Sequence, residues 1–498
     1  MAVQEPLLVA NGVSKRFGGV AALNNVTLEV RPGEVHCLAG ENGSGKSTLI
    51  KVISGVETLD SGAITMSGRS FTRLTPRQAI SLGIEVIFQD FSLFPNLTAA
   101  ENIAMATYVA GGQRIVRPRA LQRIAAEVVS RAGVHLDLDA RVEELSVADR
   151  QLTAICRALA RDARVIFMDE PTTALTWREV QALFTVVQSL KESGVALVFV
   201  SHKLEEVLRV SDRITVLRNG VVTVTGEVSQ FDRAAIVQAM TGSALTEMSP
   251  AQSIRVDQAP LLKVEHLSLR GFFEDVSFIV HPGEVLGVTG LLGSGRTEIA
   301  EALFGITPAD HGTVQVDGKE VRLHSVRDAI DAGIGYVPGD RLTQGVFLDQ
   351  SISLNMIAGS IDRLVGRFNL MRRGDAQRMV DKAASELRIR MSSASAPVRS
   401  LSGGNQQRVV LAKWLVRNPH ILILNSPTVG VDVGSKHEIL EMLRTKSREG
   451  MGIVVISDDV PELVAICHRV LVVRRGRVTD DLAGDRLNEE AILKQLVA

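Results

Sequence analysis

A block in the first half of the chain returns in the second, and few features narrow the possible folds as sharply. Arg31-Pro32-Gly33-Glu34-Val35 comes back as His281-Pro282-Gly283-Glu284-Val285. Gly40-x-x-Gly43-Ser44-Gly45 comes back as Gly290-x-x-Gly293-Ser294-Gly295, also 250 residues on. Later pairs keep an offset of 256: Leu145-Ser146 with Leu401-Ser402, Pro171-Thr172 with Pro427-Thr428, Arg213-Ile214-Thr215-Val216 with Arg469-Val470-Leu471-Val472. One net insertion over so long a register marks a duplication. Length alone would divide 498 residues into about three domains. The repeat instead predicts two domains of about 240 residues, at 1–243 and 261–498, with a linker over 244–260 that contains Ser249-Pro250-Ala251-Gln252-Ser253. Such a linker spans at most about 60 Å, enough for the copies to pair face to face.

Within each copy, apolar β-branched runs alternate with helical stretches. Val165 to Phe167, Val195 to Val200 and Ile453 to Ile456 are of the first kind; Thr48 to Ile53 and Val180 to Leu190 are of the second. This alternation predicts an α/β domain with a largely parallel sheet. The stretch from 95 to 155 lacks strand-like runs and reads as a helical insert. Lysine plus arginine number 55 against 56 aspartate plus glutamate, which argues against a chain that coats nucleic acid. Aromatic residues at 4% argue against a base-stacking platform, and 45% hydrophobic residues against disorder. No apolar run approaches the roughly 18 residues of a membrane span, and no secretory h-region is visible. Cys37, Cys156 and Cys467 lack C-x-x-C spacing, which fits a reducing compartment and neither a zinc nor an iron–sulfur site. The expectation is a soluble, cytosolic protein.

Gly40-Glu41-Asn42-Gly43-Ser44-Gly45-Lys46-Ser47 fits G-x-x-x-x-G-K-[ST]. It follows the apolar run Val35 to Ala39 and opens a helix with Leu49, Ile50 and Ile53 on one side, the setting a phosphate-binding loop requires. Glycines let backbone N–H groups close on phosphates, and the helix N-terminus adds a favourable dipole. Lys46 would supply charge to the β- and γ-phosphates and Ser47 a hydroxyl to Mg²⁺. Val165 to Asp169 and Glu170 form an apolar strand that ends in two carboxylates. On its own this reads as readily as a solvated acidic turn. Beside a P-loop, Asp169 becomes part of the Mg²⁺ shell and Glu170 the group that polarises the attacking water. His202 ends another strand; a lone histidine is usually structural, but this end of an α/β sheet is the ligand side.

Together these residues resemble the ATP-binding-cassette ATPases. Leu401-Ser402-Gly403-Gly404-Asn405-Gln406-Gln407 is similar to the family signature. Gln89 stands where the family has its Q-loop glutamine, His202 its switch histidine and Phe17 its adenine-stacking aromatic. The tandem arrangement resembles the ATPase subunit of bacterial monosaccharide importers, which share an arginine at position 296. The resemblance covers nearly the whole chain. It implies two α/β P-loop NTPase domains, each with a mainly parallel sheet core, an antiparallel β region and a helical subdomain. It implies ATP and Mg²⁺, held in a clamp where each ATP lies between one copy's P-loop and the other's signature. Site one would then take Lys46, Gln89, Glu170 and His202 as catalytic groups. Its nucleotide would lie on Phe17, Gly40, Glu41, Asn42, Gly43, Ser44, Gly45, Lys46, Ser47 and Thr48, and on Ser402, Gly403, Gly404 and Asp432 from the second copy. Ser47, Gln89 and Asp169 would hold the metal.

The same correspondence strips site two. Arg296 replaces the lysine, and its planar fork is no drop-in for an ammonium. Gly339 matches Gln89, Asn425 and Ser426 replace the carboxylates, and Asp458 replaces the switch histidine. The first signature reads Ser146-Val147-Ala148-Asp149, Thr176 replaces the D-loop aspartate, and a four-residue deletion before Phe273 removes the counterpart of Phe17. The importer subfamily usually keeps both carboxylates in its second copy, so their loss here is a departure. One hydrolytic site per chain is expected, with site two binding nucleotide weakly or not at all. The implied partners are two permease subunits, gripped near Asp90, Phe91, Phe94 and Pro95, and indirectly a solute-binding protein, with no nucleic acid. Phe91 and Phe94 read equally as core residues. The implied location is peripheral, on the cytoplasmic side of the inner membrane. Rival readings are an importer of nucleosides or a signalling furanone, and a soluble tandem ATPase acting on ribosomes or DNA. Relatives of the last kind have matched sites and a charged linker, zinc-binding cysteines or an iron–sulfur segment, none of which occurs here.

Overall fold

The computed structural model describes residues 5–112, 115–172, 175, 177–201, 208–242, 258–366 and 370–497. Most of the expected linker, His202 and Thr176 lie outside them. The chain divides into two compact units, Met1–Leu245 and Thr246–Ala498.

The first unit contains β1 Leu8–Phe17, β2 Val20–Val30, β3 Val35–Ala39, β4 Ser61–Met66, β5 Arg69–Phe71, β6 Ile84–Ile87, β7 Val165–Asp169, β8 Ala196–Ser201, β9 Arg213–Arg218 and β10 Val221–Glu227. They make an antiparallel sheet, β2-β1-β4-β5, and a six-stranded sheet, β10-β9-β3-β8-β7-β6. In the second sheet only β10 runs antiparallel. Parallel strands covered on both faces read as unbroken apolar runs, and alternate residues serve alternate layers. Val165, Phe167, Val198 and Val200 accordingly join the core shared with the antiparallel sheet. Ile166, Met168, Leu197 and Phe199 join the core beneath the helical insert. That insert is the helices Ala99–Ala110, Pro118–Ala132 and Val147–Ala160. A Thr98–Glu101 capping box starts the first and Pro118 the second.

The second unit repeats the plan with β11 Leu262–Leu269, β12 Phe273–Val280, β13 Val285–Gly290, β14 His311–Val316, β15 Lys319–Val321, β16 Ile334–Val337, β17 Ile421–Asn425, β18 Gly452–Ile456, β19 Arg469–Arg474 and β20 Arg477–Ala483. The orders are β12-β11-β14-β15 and β16-β17-β18-β13-β19-β20, the same topology. Among the described residues no helix is long and apolar enough to cross a membrane.

The recurring Pro-Gly-Glu has a structural task. The Glu34 carboxylate accepts from the Arg31 amide at 2.8 Å and pairs with Arg213 at 3.4 Å. Glu284 does the same with the His281 amide at 2.7 Å and with Arg469 at 2.6 Å. Each carboxylate is buried, and each ties the turn before the central strand to the strand beside it.

In the second unit Glu462 lies on the helix Val460–Ile466, 2% exposed, and accepts from the Thr428 hydroxyl at 2.5 Å. Burial pushes its carboxyl up to about 7, against the pull of Lys436. The folded chain therefore holds this proton to about pH 7, whereas an ordinary carboxyl releases it near 4.5. Its stabilising contribution is complete below pH 4.5 and is lost as pH rises through about 7. Glu462→Gln should raise unfolding free energy at pH 8 by on the order of 1–3 kcal/mol and change it little at pH 5. Equal shifts at both pH values in thermal unfolding would refute this coupling.

Candidate active site

In the first unit the ends of the parallel strands gather the chemistry on one edge. Ala39 pairs with Ser201, Asp169 with Val200 and Ile87 with Met168. Gly40, Gln89, Asp169 and Glu170 therefore leave the sheet at the same side, where β8 ends at Ser201; His202 lies outside the described residues.

The loop from Gly40 joins β3 to the helix Lys46–Ile53. A Cβ on Gly40 would strike the Leu217 carbonyl and the Ser44 hydroxyl. At Gly45 (φ 109°) it would stand 2.6 Å from the Ala22 carbonyl. The glycines thus let the loop sit between β9 and the β1–β2 hairpin. No side chain caps the helix start, so its first N–H groups remain available to an anion. The Ser44 hydroxyl is buried without a partner. Lys46 is also buried, and its ammonium donates to the Gly40 and Glu41 carbonyls at 2.7 and 2.8 Å. Burial holds it below the ordinary lysine range, opposed by Glu170 and Asp169. Burial raises the Asp169 carboxyl and Glu170 adds to that, while Lys46 opposes. Glu170 has φ 49°, and its amide donates to the Val200 carbonyl at 2.9 Å. An unpartnered hydroxyl, a lysine and two carboxylates fit a phosphate chain with a divalent cation: Ser47 and Asp169 have the hard oxygen donors that Mg²⁺ takes.

Phe17 ends β1, 46% exposed, with the Lys15 ammonium 5.3 Å from its ring centre. Gln89 is exposed in the turn after β6. Beyond it, Phe91 is partly buried against the helical core, whereas Phe94 is 64% exposed. The Phe94 amide is fixed by the buried Asn102 side chain at 2.8 Å. Phe347 of the second unit is 60% exposed and held alike by Asn355 at 2.7 Å.

In the second unit Ser402 precedes the helix Gly403–Leu415 without capping it, its hydroxyl accepting instead from Asn405 at 3.0 Å. A Cβ on Gly404 would collide with Ser435 and approach the Asp432 carboxylate to 3.4 Å. Asp432 caps the helix Val433–Arg448 through the Ser435 amide at 2.8 Å. The signature glycines thus exist because the helix tip is pressed against the Asp432 turn. Arg341, which the sequence did not single out, braces that turn by donating to Val429 and Gly430 carbonyls at 2.8 and 3.2 Å. In the first unit the matching helix start is closed by its own residues: Ser146 accepts from the Asp149 amide and donates to its carboxylate at 2.8 Å.

The second P-loop keeps its backbone and changes its side chains. Ser426 has φ 48°, and its amide donates to Ile456, as Glu170 does to Val200. Asn425 is hydrogen-bonded with Tyr336, whose hydroxyl burial pushes up to about 12. Gly339 lies close enough that a Cβ would come within 3.3 Å of the Asn425 amide. Arg296 and Asp458, two departures that looked independent in the sequence, form an ion pair at 3.5 Å. Tyr336 and Arg341 carried no motif that could have marked them.

A glycine loop between a parallel strand and a helix, beside an acidic strand end, defines a P-loop NTPase. The chain belongs to the ABC transporter family, whose model matches residues 23–173 and 273–429. It is 42% identical over 483 residues to the ribose import ATP-binding protein RbsA of Geobacillus kaustophilus, covering 97% of each chain. It is 43% identical over 493 residues to ribose import ATP-binding protein RbsA 1 of Rubrobacter xylanophilus, covering 98% of this chain and 97% of the other. A solved nucleotide-free ATP-binding cassette from an ABC transporter aligns with 45% of the chain and 92% of its own length, at 26% identity and TM-score 0.41.

Gly45→Ala should destabilise the first unit by about 2 kcal/mol or more, since backbone strain and a carbonyl clash coincide. Gly43→Ala should cost only about 1 kcal/mol, because a Cβ there meets nothing within 4 Å. Chemical denaturation of the two variants checks the ranking, and equal losses would contradict it.

Proposed function

We propose that this chain is the ATP-hydrolysing, energy-coupling subunit of an importer for a monosaccharide or related polyol, with one hydrolytic site. The observation that carries the reading is the edge where β3 and β7 end: Lys46, Asp169 and Glu170 converge there, and the counterparts of the two carboxylates in the second unit are the uncharged Asn425 and Ser426. Full-length similarity to ribose import ATP-binding proteins supports the sugar class.

In this reading the loop from Gly40 to Thr48 binds the phosphates through backbone N–H groups, and Lys46 exchanges its loop carbonyls for phosphate oxygens. Phe17 offers a face to the adenine. Glu170 accepts a hydrogen bond from the attacking water and takes up its proton, with Gln89 and His202 orienting the reacting groups. Mg²⁺, when held by Ser47, Asp169 and Gln89, supplies charge neutralisation. Ser402, Gly403, Gly404 and Asp432 complete the site from the second unit, in the cross-paired clamp the family resemblance implies. Support comes from the helix start at Ser402, which is left uncapped, whereas that at Ser146 is closed by Asp149. The partners are two permease subunits and, through them, a solute-binding protein, with the chain peripheral to the cytoplasmic side of the inner membrane. The exposed Phe94 and Phe347, on loops pinned by Asn102 and Asn355, suit permease docking.

Glu170→Gln in the assembled transporter should lower ATP turnover by about 10²–10⁴; substantial residual turnover would sink the single-site reading. Ser402→Arg should be comparably damaging and Ser146→Arg mild. A reversed ranking would refute the cross-pairing.

A further inference from the structure

A cleft of about 380 Å³ opens beside the edge strand β16 of the second unit, a volume within the range of small-molecule sites. Its walls come from the β14–β15 hairpin, the residues between the helix Val326–Asp331 and β16, Arg363 of the short helix Ile361–Leu364, and the turn from Trp414 to His420. None of these residues stands in the glycine loop or the signature. In the first unit the matching strand, β6, carries a buried carboxylate: Glu85 pairs with Arg161 at 3.2 Å, and nearby Arg164 donates to the Ser67 hydroxyl at 2.7 Å. The counterparts in the second unit are Gly335, Arg417, His420 and Asp317. Trp414 stands where the first unit has Ala158, and a Cβ on Gly335 would come within 3.3 Å of the Trp414 Cβ. The second unit thus has an indole in this wall and no carboxylate on the strand.

The ionisable side chains that line the cleft are Asp317, Lys319, Asp331, Arg363, Arg417 and His420. Both carboxylates are already engaged, Asp317 by His420 at 2.5 Å and Asp331 by Arg327 at 2.9 Å. Arg417 is buried and held by Asp362 and the Gly359 carbonyl, each at 2.6 Å. Lys319 and Arg363 differ. Among the described residues neither has a carboxylate partner, and Arg363 donates one N–H to the Arg417 carbonyl at 2.8 Å. They reach the cleft from separate elements, a hairpin and a helix. Val316, Val321, Ile330 and Pro419 add apolar wall. The Trp414 N–H is buried without an acceptor, a donor that is costly to leave unpaired. The complement of such a surface is an anion with an apolar body.

We propose that this cleft binds a phosphate monoester with a small ring-shaped body. Two uncompensated cations match the charge of about −1.5 to −2 that such a phosphate carries at pH 7. The Arg363 guanidinium can take two phosphate oxygens at once, and the Lys319 ammonium adds a compact charge from the opposite element. The ring lies against the apolar wall that includes Trp414. No bond is made or broken in the cleft. The inference does not depend on the transport reading, because every residue it uses lies outside the glycine loops and the signature.

The full chain has two tryptophans, Trp177 and Trp414, so Trp177→Phe leaves Trp414 as the single indole fluorophore. Titration of that variant with phenyl phosphate should change its emission saturably, and calorimetry should count one equivalent bound. Phenol and inorganic phosphate, each of which offers half of the ligand, should bind at least about tenfold more weakly. Lys319→Glu and Arg363→Ala should each lower affinity for phenyl phosphate at least about fivefold. Should Arg363→Ala fail to fold by thermal melting, Lys319→Glu on the exposed hairpin decides. An emission change that survives both substitutions would place the ligand elsewhere, the glycine loops included, and overturns the site. Equal affinity for phenol overturns the anion requirement, and equal affinity for inorganic phosphate overturns the ring body. Neither heat of binding nor emission change with phenyl phosphate overturns the proposal altogether.

Discussion

An ammonium removed from water must find its hydrogen bonds inside the protein, and Lys46 finds them on the carbonyls of the loop that precedes it. The carbonyls of Gly40 and Glu41 point at the lysine because the loop is clamped between Leu217 and Ala22, where only glycine fits. The clamp in turn requires β3 at the centre of the sheet with β8 and β9 on either side. Neighbouring Asp169 and Glu170 partly restore the charge that burial suppresses. Glycine identity, sheet order and electrostatics are thus aspects of one arrangement, a buried cation held on the carbonyls of its own loop.

The second unit shows which parts of that arrangement are architectural. The left-handed residue after β17, the glycine loop and the Glu284–Arg469 tie all persist where the reactive side chains are gone. Backbone geometry is held by the packing of the whole unit, whereas a carboxylate at a strand end answers only to chemistry. Where the carboxylates and the lysine are absent, these positions carry other partnerships, as Asn425 with Tyr336 and Arg296 with Asp458 illustrate.

Much of this was legible in the amino-acid sequence. Duplicated Pro-Gly-Glu and glycine-loop segments disclosed two units, and the apolar runs at Val165 and Val195 lie in β7 and β8, with residue-by-residue alternation between two cores. The helical character of the 95 to 155 stretch followed from its lack of β-branched runs. Side-chain pairings across distant segments were not legible. Nothing in spacing links Arg296 to a residue after β18, because their proximity depends on β13 and β18 being adjacent. Arg341 likewise acts on carbonyls almost ninety residues away, and backbone acceptors leave no trace in residue identity. Whether Phe91 and Phe94 belong to the core was open in the sequence; the fold packs Phe91 partly against the helical core and leaves Phe94 64% exposed.

The tie between the Pro-Gly-Glu turn and its arginine has a consequence for how the protein is made. Glu34 waits for Arg213 and Glu284 for Arg469, each near the end of its own unit. Sheet contacts so distant in sequence form late, after the intervening chain has been closed into a loop. During synthesis, the phosphate loop leaves the ribosome early, yet the strand that carries it can take its central place only after β8 and β9 have emerged. The glycine loop of each unit therefore gains its seat in the sheet only near the end of that unit's translation, and a chain truncated before Arg213 would carry the loop residues without a seat to hold them.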